Sequence, residues 1–388
     1  MIIGSGRTAW LSWYADEVGS VFVLSGLRLK YNPALDGLRA VALVLVFMSH
    51  AHVPMLGGAF FGVDLFFVLS GFLITSLLLK EYQQAGRLDY WRFYKRRFLR
   101  LAPALLLFLG AYWVFAPLIW HDLEYINQDV VVSALYLADY GIAFFDSPDT
   151  LLHMWSLSVE EHFYLIWPPL LTLLLVHTAR KQLWRPVLLL VVLMFVWRIY
   201  WVARGQQFYE IFFRFDTRAT GMLLGSLLAA VAVHRPEWMD ALHARQKYLL
   251  WLLPVFPFII FGYAWDDAGA LLWGFALAEL TAAAIVIAVS KQKGALFDML
   301  SLPSLVWLGK MSYGIYLWHY PVVRLLRAHM DWAWVVALGL PLSAGLAALS
   351  FYTVERWALR LRDGSARGAP LAPPVVTRQV VQRRTVAI

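Results

Sequence analysis

The sequence contains no cysteine among its 388 residues. A disulfide framework, a thiol nucleophile and a thiolate metal site are therefore excluded. Charged residues are also scarce, since they make up 15% of the chain where a soluble domain carries about 25%. Hydrophobic residues reach 61%, and they gather in runs close to the roughly 20 residues that span a bilayer. Together these features predict an all-α polytopic membrane protein, a bundle of transmembrane helices.

The hydrophobic residues form ten runs that are candidate membrane spans. These runs cover residues 36–52, 60–79, 101–119, 161–178, 187–203, 216–233, 248–264, 270–290, 311–328 and 333–354. An even number of spans places both termini on the same side of the membrane. We expect a lead-in at 1–34, a membrane domain at 35–357 and a basic, disordered tail at 358–388.

Lysine and arginine are missing from three connections between these runs, 53–59, 120–160 and 265–269. The connection 80–100 instead holds seven of them. Because Lys and Arg accumulate on the cytoplasmic side of a membrane, both termini are predicted to be cytoplasmic. The net charge of +8 then reflects membrane topology, and nucleic-acid binding is not expected.

Three arginines depart from this pattern. Arg204, Arg214 and Arg218 lie in a connection that is predicted to face outwards. Arginines in such places are typical of residues that point into a cavity or bind an anionic group. Asp64, near the outer end of the second run, is predicted to cap a helix or to pair with another residue.

A polar pair interrupts the first run, LDGLRAVALVLVFMSH at 35–50. Arg39 and His50 are eleven residues apart, so a helix aligns them within about 20° of one face and about 16 Å apart along its axis. Asp36 lies near the same line. Such residues are costly to place in lipid, so we expect them to face a protein interior or a wet cavity. Because imidazole exchanges protons near neutral pH, His50 is a candidate general base.

A basic cluster precedes the third run. Arg96, Arg97 and Arg100 recur at helical spacing within FYKRRFLRLAPA at 93–104. Arginine forks bind phosphates well, so the cluster suits a nucleotide-bearing cytosolic cofactor. Ordinary cytoplasmic anchoring explains the same cluster, and spacing alone favours anchoring.

Two adjacent glutamates lie near the start of the fourth run. Ser158 and Glu161 fit a capping box, which leaves Glu160 without a capping role. Glu160 and Tyr164 are four residues apart, so they meet on one helix face. We expect Glu160 to lie at the depth of His50 and to orient and charge-support its imidazole.

A fourth motif, WLGKMSYGIYLWHYPVV at 307–323, places His319 in mid-span with Pro321 two residues later. Several histidines together suggest a metal site, but no HxxxH or His/carboxylate spacing supports one, so no metal is predicted. The candidate substrate-binding residues are Asp36, Glu161, Tyr164 and His319.

The order of these motifs resembles the acyltransferase-3 family of integral membrane acyltransferases from about residue 31 to 357. The resemblance is carried by LDGLRAVALVLVFMSH, GVDLFFVLSGFLIT, YKRRFLRLAPA, WSLSVEEHFYLIWP, FDTRATGMLLGSLLA and LGKMSYGIYLWHYPV. It implies transfer of an acyl group, usually acetyl, from cytosolic acyl-CoA to a hydroxyl of a sugar or other acceptor. The implied acceptor is a cell-surface carbohydrate or lipid-linked glycan, and the implied location is the bacterial inner membrane, among its lipids.

The resemblance also implies roles for individual residues. Arg39 and His50 match the family's paired Arg and His, and Glu160 matches its motif glutamate, so these three are implied to be catalytic. The basic motif falls on Arg96, Arg97 and Arg100, which with Arg39 would bind acetyl-CoA, a donor substrate and not a permanently bound cofactor. Many relatives carry a fused extracytoplasmic hydrolase-like domain, which we do not expect in this protein. An acyl-relay partner, if one is needed, would then be a separate protein.

A different class of protein is the alternative. Buried Arg and His residues also mark substrate paths in transporters and in flippases for glycans or lipid-linked substrates. Such a protein is expected to contain paired, broken helices in two repeated halves, and the sequence shows none.

Overall fold

A computed structural model describes residues 31–120 and 125–358. The predicted lead-in at 1–34 and tail at 358–388 lie almost entirely outside the described residues. Within the described ranges the chain forms helices and no strand, which confirms the all-α prediction.

Eighteen α-helices are described, joined by short 3-10 and π turns. They are α1 Pro33–His50, α2 Gly62–Ala85, α3 Tyr90–Ile119, α4 Ile126–Ala134, α5 Ala138–Phe145, α6 Met154–His177, α7 Trp184–Ala203, α8 Phe208–Phe212, α9 Phe215–Arg218, α10 Thr220–His234, α11 Pro236–Ala244, α12 Gln246–Leu249, α13 Val255–Gly262, α14 Phe275–Ser290, α15 Ala295–Leu300, α16 Pro303–Lys310, α17 Ser312–Arg327 and α18 Trp332–Ser350.

Seven helical stretches among these residues are long and apolar enough to cross a membrane. They are Pro33–His50, Gly57–Ala85, Tyr90–Ile119, Met154–His177, Arg180–Ala203, Ala270–Ser290 and Trp332–Ala358. The predicted runs 216–233 and 248–264 fall on the shorter apolar helices Thr220–His234 and Gln246–Gly262. The predicted run 311–328 falls on α17. The chain is therefore an integral, multi-pass membrane protein.

The first helix begins where the sequence supplies a cap. Asn32 accepts a hydrogen bond from the backbone N–H of Ala34 at 3.1 Å, and Pro33 occupies the first helical position. Both features are typical of helix starts, because an early N–H has no helical partner and proline has none to lose. This cap fixes where α1 starts, and hence the positions of Arg39 and His50 along it.

Two helices start earlier than the sequence predicted. Asp89 accepts the N–H of Arg92 at 3.0 Å, so α3 begins at Tyr90 and its basic stretch is helical. Helix α6 begins at Met154, which places Ser158 a full turn inside the helix. The Ser158 hydroxyl donates to the carbonyl of Met154 at 3.1 Å instead of capping. The capping-box prediction was therefore wrong.

Helices α2 and α10 pack backbone against backbone. A Cβ on Gly71 would lie 1.8 Å from the carbonyl oxygen of Met222, and one on Gly225 would lie 2.1 Å from that of Val68. Small residues permit this close approach in membranes, where packing replaces the hydrophobic drive between helices. The core of the bundle is consequently built around α2, most of which is buried.

Helices α7 and α18 lie at the periphery and face outwards with apolar side chains. On α7, Leu189, Leu193 and Val196 are at least half exposed, and Leu342 and Leu349 are similarly exposed on α18. Apolar surface of this kind on membrane-length helices is suited to contact with lipid acyl chains.

The absence of cysteine makes the predicted orientation directly testable. Asp149→Cys places a thiol on the predicted outer side, and Gln84→Cys places one on the predicted cytoplasmic side; both positions are exposed. In intact cells a membrane-impermeant maleimide should label the first variant at once and the second only after permeabilisation. The parent protein, which has no thiol, should stay unlabelled, and the reverse labelling pattern would invert the topology.

Candidate active site

His50, the last residue of α1, contacts a second imidazole from α17. His50 Nδ1 lies 2.8 Å from His319 Nε2, and the two rings are stacked with centroids 5.1 Å apart. His319 is fully buried. Two residues separated by 269 positions in sequence thus form one hydrogen-bonded pair.

The proton positions in this pair follow from a backbone carbonyl. His319 Nδ1 lies 2.6 Å from the carbonyl oxygen of Tyr316, which can only accept, so Nδ1 of His319 carries a hydrogen. In a neutral imidazole the other nitrogen is then the acceptor. His50 therefore donates from Nδ1 to His319, which leaves His50 Nε2 with its lone pair.

A third buried histidine, His153, packs against the pair. Its ring lies edge-on to His319 with centroids 5.5 Å apart, and its Nε2 donates to the carbonyl of Leu317 at 3.2 Å. That carbonyl is available because its helical partner four residues on would be Pro321, which has no N–H. Pro321, conspicuous in the sequence, thus frees a backbone acceptor beside the imidazole pair.

His50 also lines a small, narrow cavity of about 20 Å³. Its walls are mostly aromatic or apolar, and they are formed by Val46, Ser49, His50, Phe60, Val63, Leu152, Trp155, Phe212, Trp265 and Tyr316. In the predicted orientation this cavity is in the outer half of the bundle, because α1 starts on the cytoplasmic side. This volume holds about one water molecule, so a larger ligand requires the cavity walls to move apart.

A second polar centre lies where α3 and α6 run antiparallel. Arg97 forms a bidentate ion pair with Glu161, with Nη2 2.7 Å and Nε 3.0 Å from Oε1, and its guanidinium stacks over the ring of Tyr164. Glu160 accepts from the hydroxyl of Ser70 at 2.8 Å. Glu160 thereby ties α6 to α2, and Glu161 ties α6 to α3.

This arrangement corrects the expected pairing of Glu160 with His50. The two oxygens of Glu160 accept from the Ser70 and Tyr164 hydroxyls, at 2.8 and 3.4 Å, while His50 Nδ1 is bound to His319. Glu160 lies one helical turn from Ser156, whose Oγ is 2.6 Å from the hydroxyl of Tyr316. The predicted partner therefore sits a layer below the imidazoles, because α6 begins earlier than the sequence suggested.

Arg39 lies in that lower layer. Its Nη1 is 3.0 Å from Oδ1 of Asp36, and Oδ2 of Asp36 accepts from the hydroxyl of Tyr31 at 2.8 Å. Arg39 and Arg97 are both close enough to Glu160 to act on its charge. The aligned face of α1 predicted from spacing thus spans two polar layers about 16 Å apart.

The basic cluster of α3 divides between two environments. Arg97 turns inwards to Glu161, whereas Arg96 and Arg100 are exposed. The prediction that all three arginines present one surface to an anion is therefore altered: two remain on that surface, and Arg97 holds a carboxylate.

Sequence reasoning missed a buried charge network near the outer ends of the helices. Arg218 binds Asp64 at 3.1 Å and stacks 3.6 Å over the ring of Phe275, while Arg198 lies 4.0 Å from Glu279. The signal was present, since Arg218 departs from the positive-inside rule and Asp64 interrupts an apolar run, but nothing in sequence paired them. Trp155 and Trp265 of the cavity were also missed.

In the part of the chain that the structure describes, no group of three or more His, Asp or Glu side chains is placed to hold a metal ion.

The fold and these side chains define a class: polytopic membrane proteins with an imidazole pair facing a cavity inside the bundle and a basic cluster at the start of another helix, α3. A family model described as an acyltransferase domain matches residues 32–354. The chain belongs to this family, acyltransferase-3. No solved structure matches the chain.

The curated relatives it matches are O-acetyltransferases by name. The putative peptidoglycan O-acetyltransferase YrhL of Bacillus subtilis is 33% identical over 346 residues, which cover 84% of this chain and 55% of that protein. The peptidoglycan O-acetyltransferase OatA of Listeria monocytogenes is 31% identical, with the same two coverages. The O-acetyltransferase OatA of Staphylococcus aureus is 29% identical over 84% of this chain and 57% of its own length. The chain spans about half the length of these relatives, and none of them favours the transporter alternative.

The two adjacent glutamates should differ in their effects on stability. Glu161→Gln leaves the partly buried Arg97 without its counter-charge, so we expect a loss of about 2 kcal/mol in the free energy of unfolding. Glu160→Gln is the matched control, because an amide oxygen still accepts from the Ser70 hydroxyl, and it should cost clearly less. Thermal unfolding in detergent measures both, and equal losses would contradict the assigned pairings.

Proposed function

We propose that the protein is a membrane O-acetyltransferase of the bacterial inner membrane, which moves an acetyl group from cytosolic acetyl-CoA to a hydroxyl of an extracytoplasmic glycan. The observation that carries the proposal is the His50–His319 pair, which leaves a lone pair on His50 Nε2 beside an aromatic cavity. Family membership and the names of the relatives support the choice of acyl transfer as the chemistry.

Acetyl-CoA would reach this site from the cytosolic side along α1. The exposed Arg96 and Arg100 are suited to the phosphates of the cofactor, because guanidinium groups bind phosphates through paired hydrogen bonds. Arg39 lies deeper in the bundle. The distance from Arg39 to His50 along α1 is about 16 Å, and the extended pantetheine arm of the donor would lie along this part of the helix. Arg97 contributes indirectly, since it holds Glu161 in place.

The acceptor would approach the cavity from the outer side, and the cavity walls would move apart to admit its hydroxyl. Trp155, Trp265 and Phe60 give its wall flat, apolar faces, which suit the apolar faces of a sugar ring, and Ser49 adds a polar contact. Peptidoglycan is the glycan that the relatives' names point to. The first hydroxyl to be acetylated belongs to that glycan, to a lipid-linked glycan or to a separate extracytoplasmic relay protein. In each case the acceptor is a hydroxyl group that gives up its proton.

In the transfer step the oxygen of the acceptor hydroxyl attacks the thioester carbonyl, and His50 Nε2 takes the proton of that hydroxyl. A C–O bond forms, the C–S bond breaks, and the CoA thiolate leaves and recovers the proton from the His50 imidazolium. A second route starts from the same tautomer. Nε2 attacks the thioester carbonyl, the C–S bond breaks, and the CoA thiolate leaves and takes up the Nδ1 proton; the acetyl-imidazole then passes its acetyl group to the acceptor oxygen, whose proton returns to the imidazole. Only the second route leaves a transient acetyl group on His50, which mass spectrometry after a rapid quench at neutral pH would detect.

Loss of the imidazole should abolish most of the activity. We expect His50→Ala to lower acetyl transfer from labelled acetyl-CoA by about 10²–10⁴-fold, the usual contribution of a positioned general base. His329→Ala, which alters an exposed histidine beyond the end of α17, is the matched control and should leave the rate unchanged. Full activity of the purified His50→Ala protein would remove His50 from the mechanism.

The exposed arginines should govern affinity for the donor and not the chemical step. Arg96→Gln and Arg100→Gln together should raise KM for acetyl-CoA by roughly a hundredfold or more, since each charged hydrogen bond contributes about 1.5–3 kcal/mol, with little change in kcat. Arg87→Gln and Lys95→Gln together remove the same number of charges from exposed positions near the start of this helix and serve as the control. A KM that rises equally in all variants would indicate only a general loss of positive surface charge.

A further inference from the structure

We propose that His319 is a positioning residue, which fixes the tautomer of His50 and shares the positive charge that His50 acquires during transfer. This inference rests on the proposed function, because it concerns the residue that acts through His50. The sequence predicted that His319 binds the substrate, whereas in this proposal His319 acts through His50.

His319 is rigidly held for this task. It is completely buried, its Nδ1 donates to the Tyr316 carbonyl at 2.6 Å, and it sits between the stacked ring of His50 and the edge-on ring of His153. The Tyr316 carbonyl can only accept, so the proton of neutral His319 stays on Nδ1. Nε2 of His319 therefore faces His50 as a hydrogen-bond acceptor. His50 is thereby restricted to the tautomer whose Nε2 is free to react.

A carboxylate usually holds the imidazole of a general base, but none of the carboxylates in residues 31–120 and 125–358 is hydrogen-bonded to His50. The groups that act electrostatically on His50 are His319, His52 and Arg327, and those with rings against the pair are His153, Tyr316 and Tyr320. Glu160, the carboxylate that the sequence placed beside His50, accepts from the Ser70 hydroxyl instead. Among the described residues the pair is therefore surrounded by neutral or positive groups.

In this environment the second imidazole is the group that can share the positive charge on His50. When His50 Nε2 takes the acceptor proton, its Nδ1 proton can move along the 2.8 Å hydrogen bond to His319 Nε2. The charge then rests on a ring whose Nδ1–H is already bound to the Tyr316 carbonyl. One proton enters the pair and one returns to the CoA thiolate, so the pair ends as it began.

Two substitutions of His319 separate orientation from charge sharing. His319→Gln offers an amide oxygen to His50 Nδ1 but cannot take up a proton, so the tautomer should persist while kcat falls by about 10–100-fold at unchanged KM, a small part of a general base's contribution. His319→Phe removes the acceptor, so the tautomer preference should be lost and kcat should fall by about 10³–10⁴-fold, as for a base held in the wrong tautomer. His153→Gln is the control: it alters a buried neighbour with no hydrogen bond to His50, and the tautomer should not change.

The tautomer is read by ¹⁵N NMR of histidine-labelled full-length protein in lipid bilayers, with the His50 signal identified by its absence in His50→Asn protein. Wild-type protein should show His50 protonated at Nδ1 and unprotonated at Nε2. A His50 protonated at Nε2, or a His319→Phe protein that keeps both tautomer and kcat, would overturn the proposal. If the Phe variant fails to fold, an unchanged kcat in His319→Gln overturns charge sharing by itself. Because the NMR readout needs no turnover, failure of the acetyltransferase assignment would appear separately, as wild-type protein that transfers no acetyl group.

Discussion

The hydrogen bond from His50 to His319 is the contact on which the rest of the site depends. It joins α1 to α17 inside the bundle, and its direction is set by the carbonyl of Tyr316. Within a membrane a polar side chain without a partner is expensive, so each imidazole has to be placed against an acceptor or a donor. The local sequence of α17 meets this need, since Pro321 frees the Leu317 carbonyl for a third histidine. The lone pair on His50 Nε2 follows from these backbone constraints.

Below the imidazoles lies a layer of charge with a different character. Arg97 and Glu161 neutralise each other across α3 and α6, and Glu160 is held by the hydroxyl of Ser70 on α2. The two layers are joined through Ser156, which contacts the hydroxyl of Tyr316 one turn above Glu160. Helix α1 passes both layers, so a donor that enters at one and reacts at the other would stay on a single helix face. The exposed Arg96 and Arg100 of α3 supply positive charge for an anion, and the upper layer supplies a base in apolar surroundings.

Local features of this fold could be read from the sequence, whereas contacts between distant helices could not. The spacing of Arg39 and His50 predicted their common face because helical periodicity needs only one segment. The partner of His50 lies 269 residues away, and no periodicity connects two helices that meet only after folding. The expected Glu160–His50 contact failed for a local reason, since α6 starts before the capping signal at Ser158. Placing the charged side chains of Arg218 and Asp64 in lipid costs free energy, so the sequence indicated that each has a partner. It did not identify those partners.

The measurement that most directly tests acyl transfer at His50 is an experimental structure of the protein with a thioether analogue of acetyl-CoA. The donor should lie along α1, with its adenine nucleotide near Arg96 and Arg100. The carbon that replaces the thioester carbonyl should come within about 3–3.5 Å of the acceptor oxygen or of His50 Nε2, as a near-attack geometry requires. A donor bound with its acyl end on the cytoplasmic side of the Arg97–Glu161 layer, out of reach of the imidazole, would contradict the role assigned to His50.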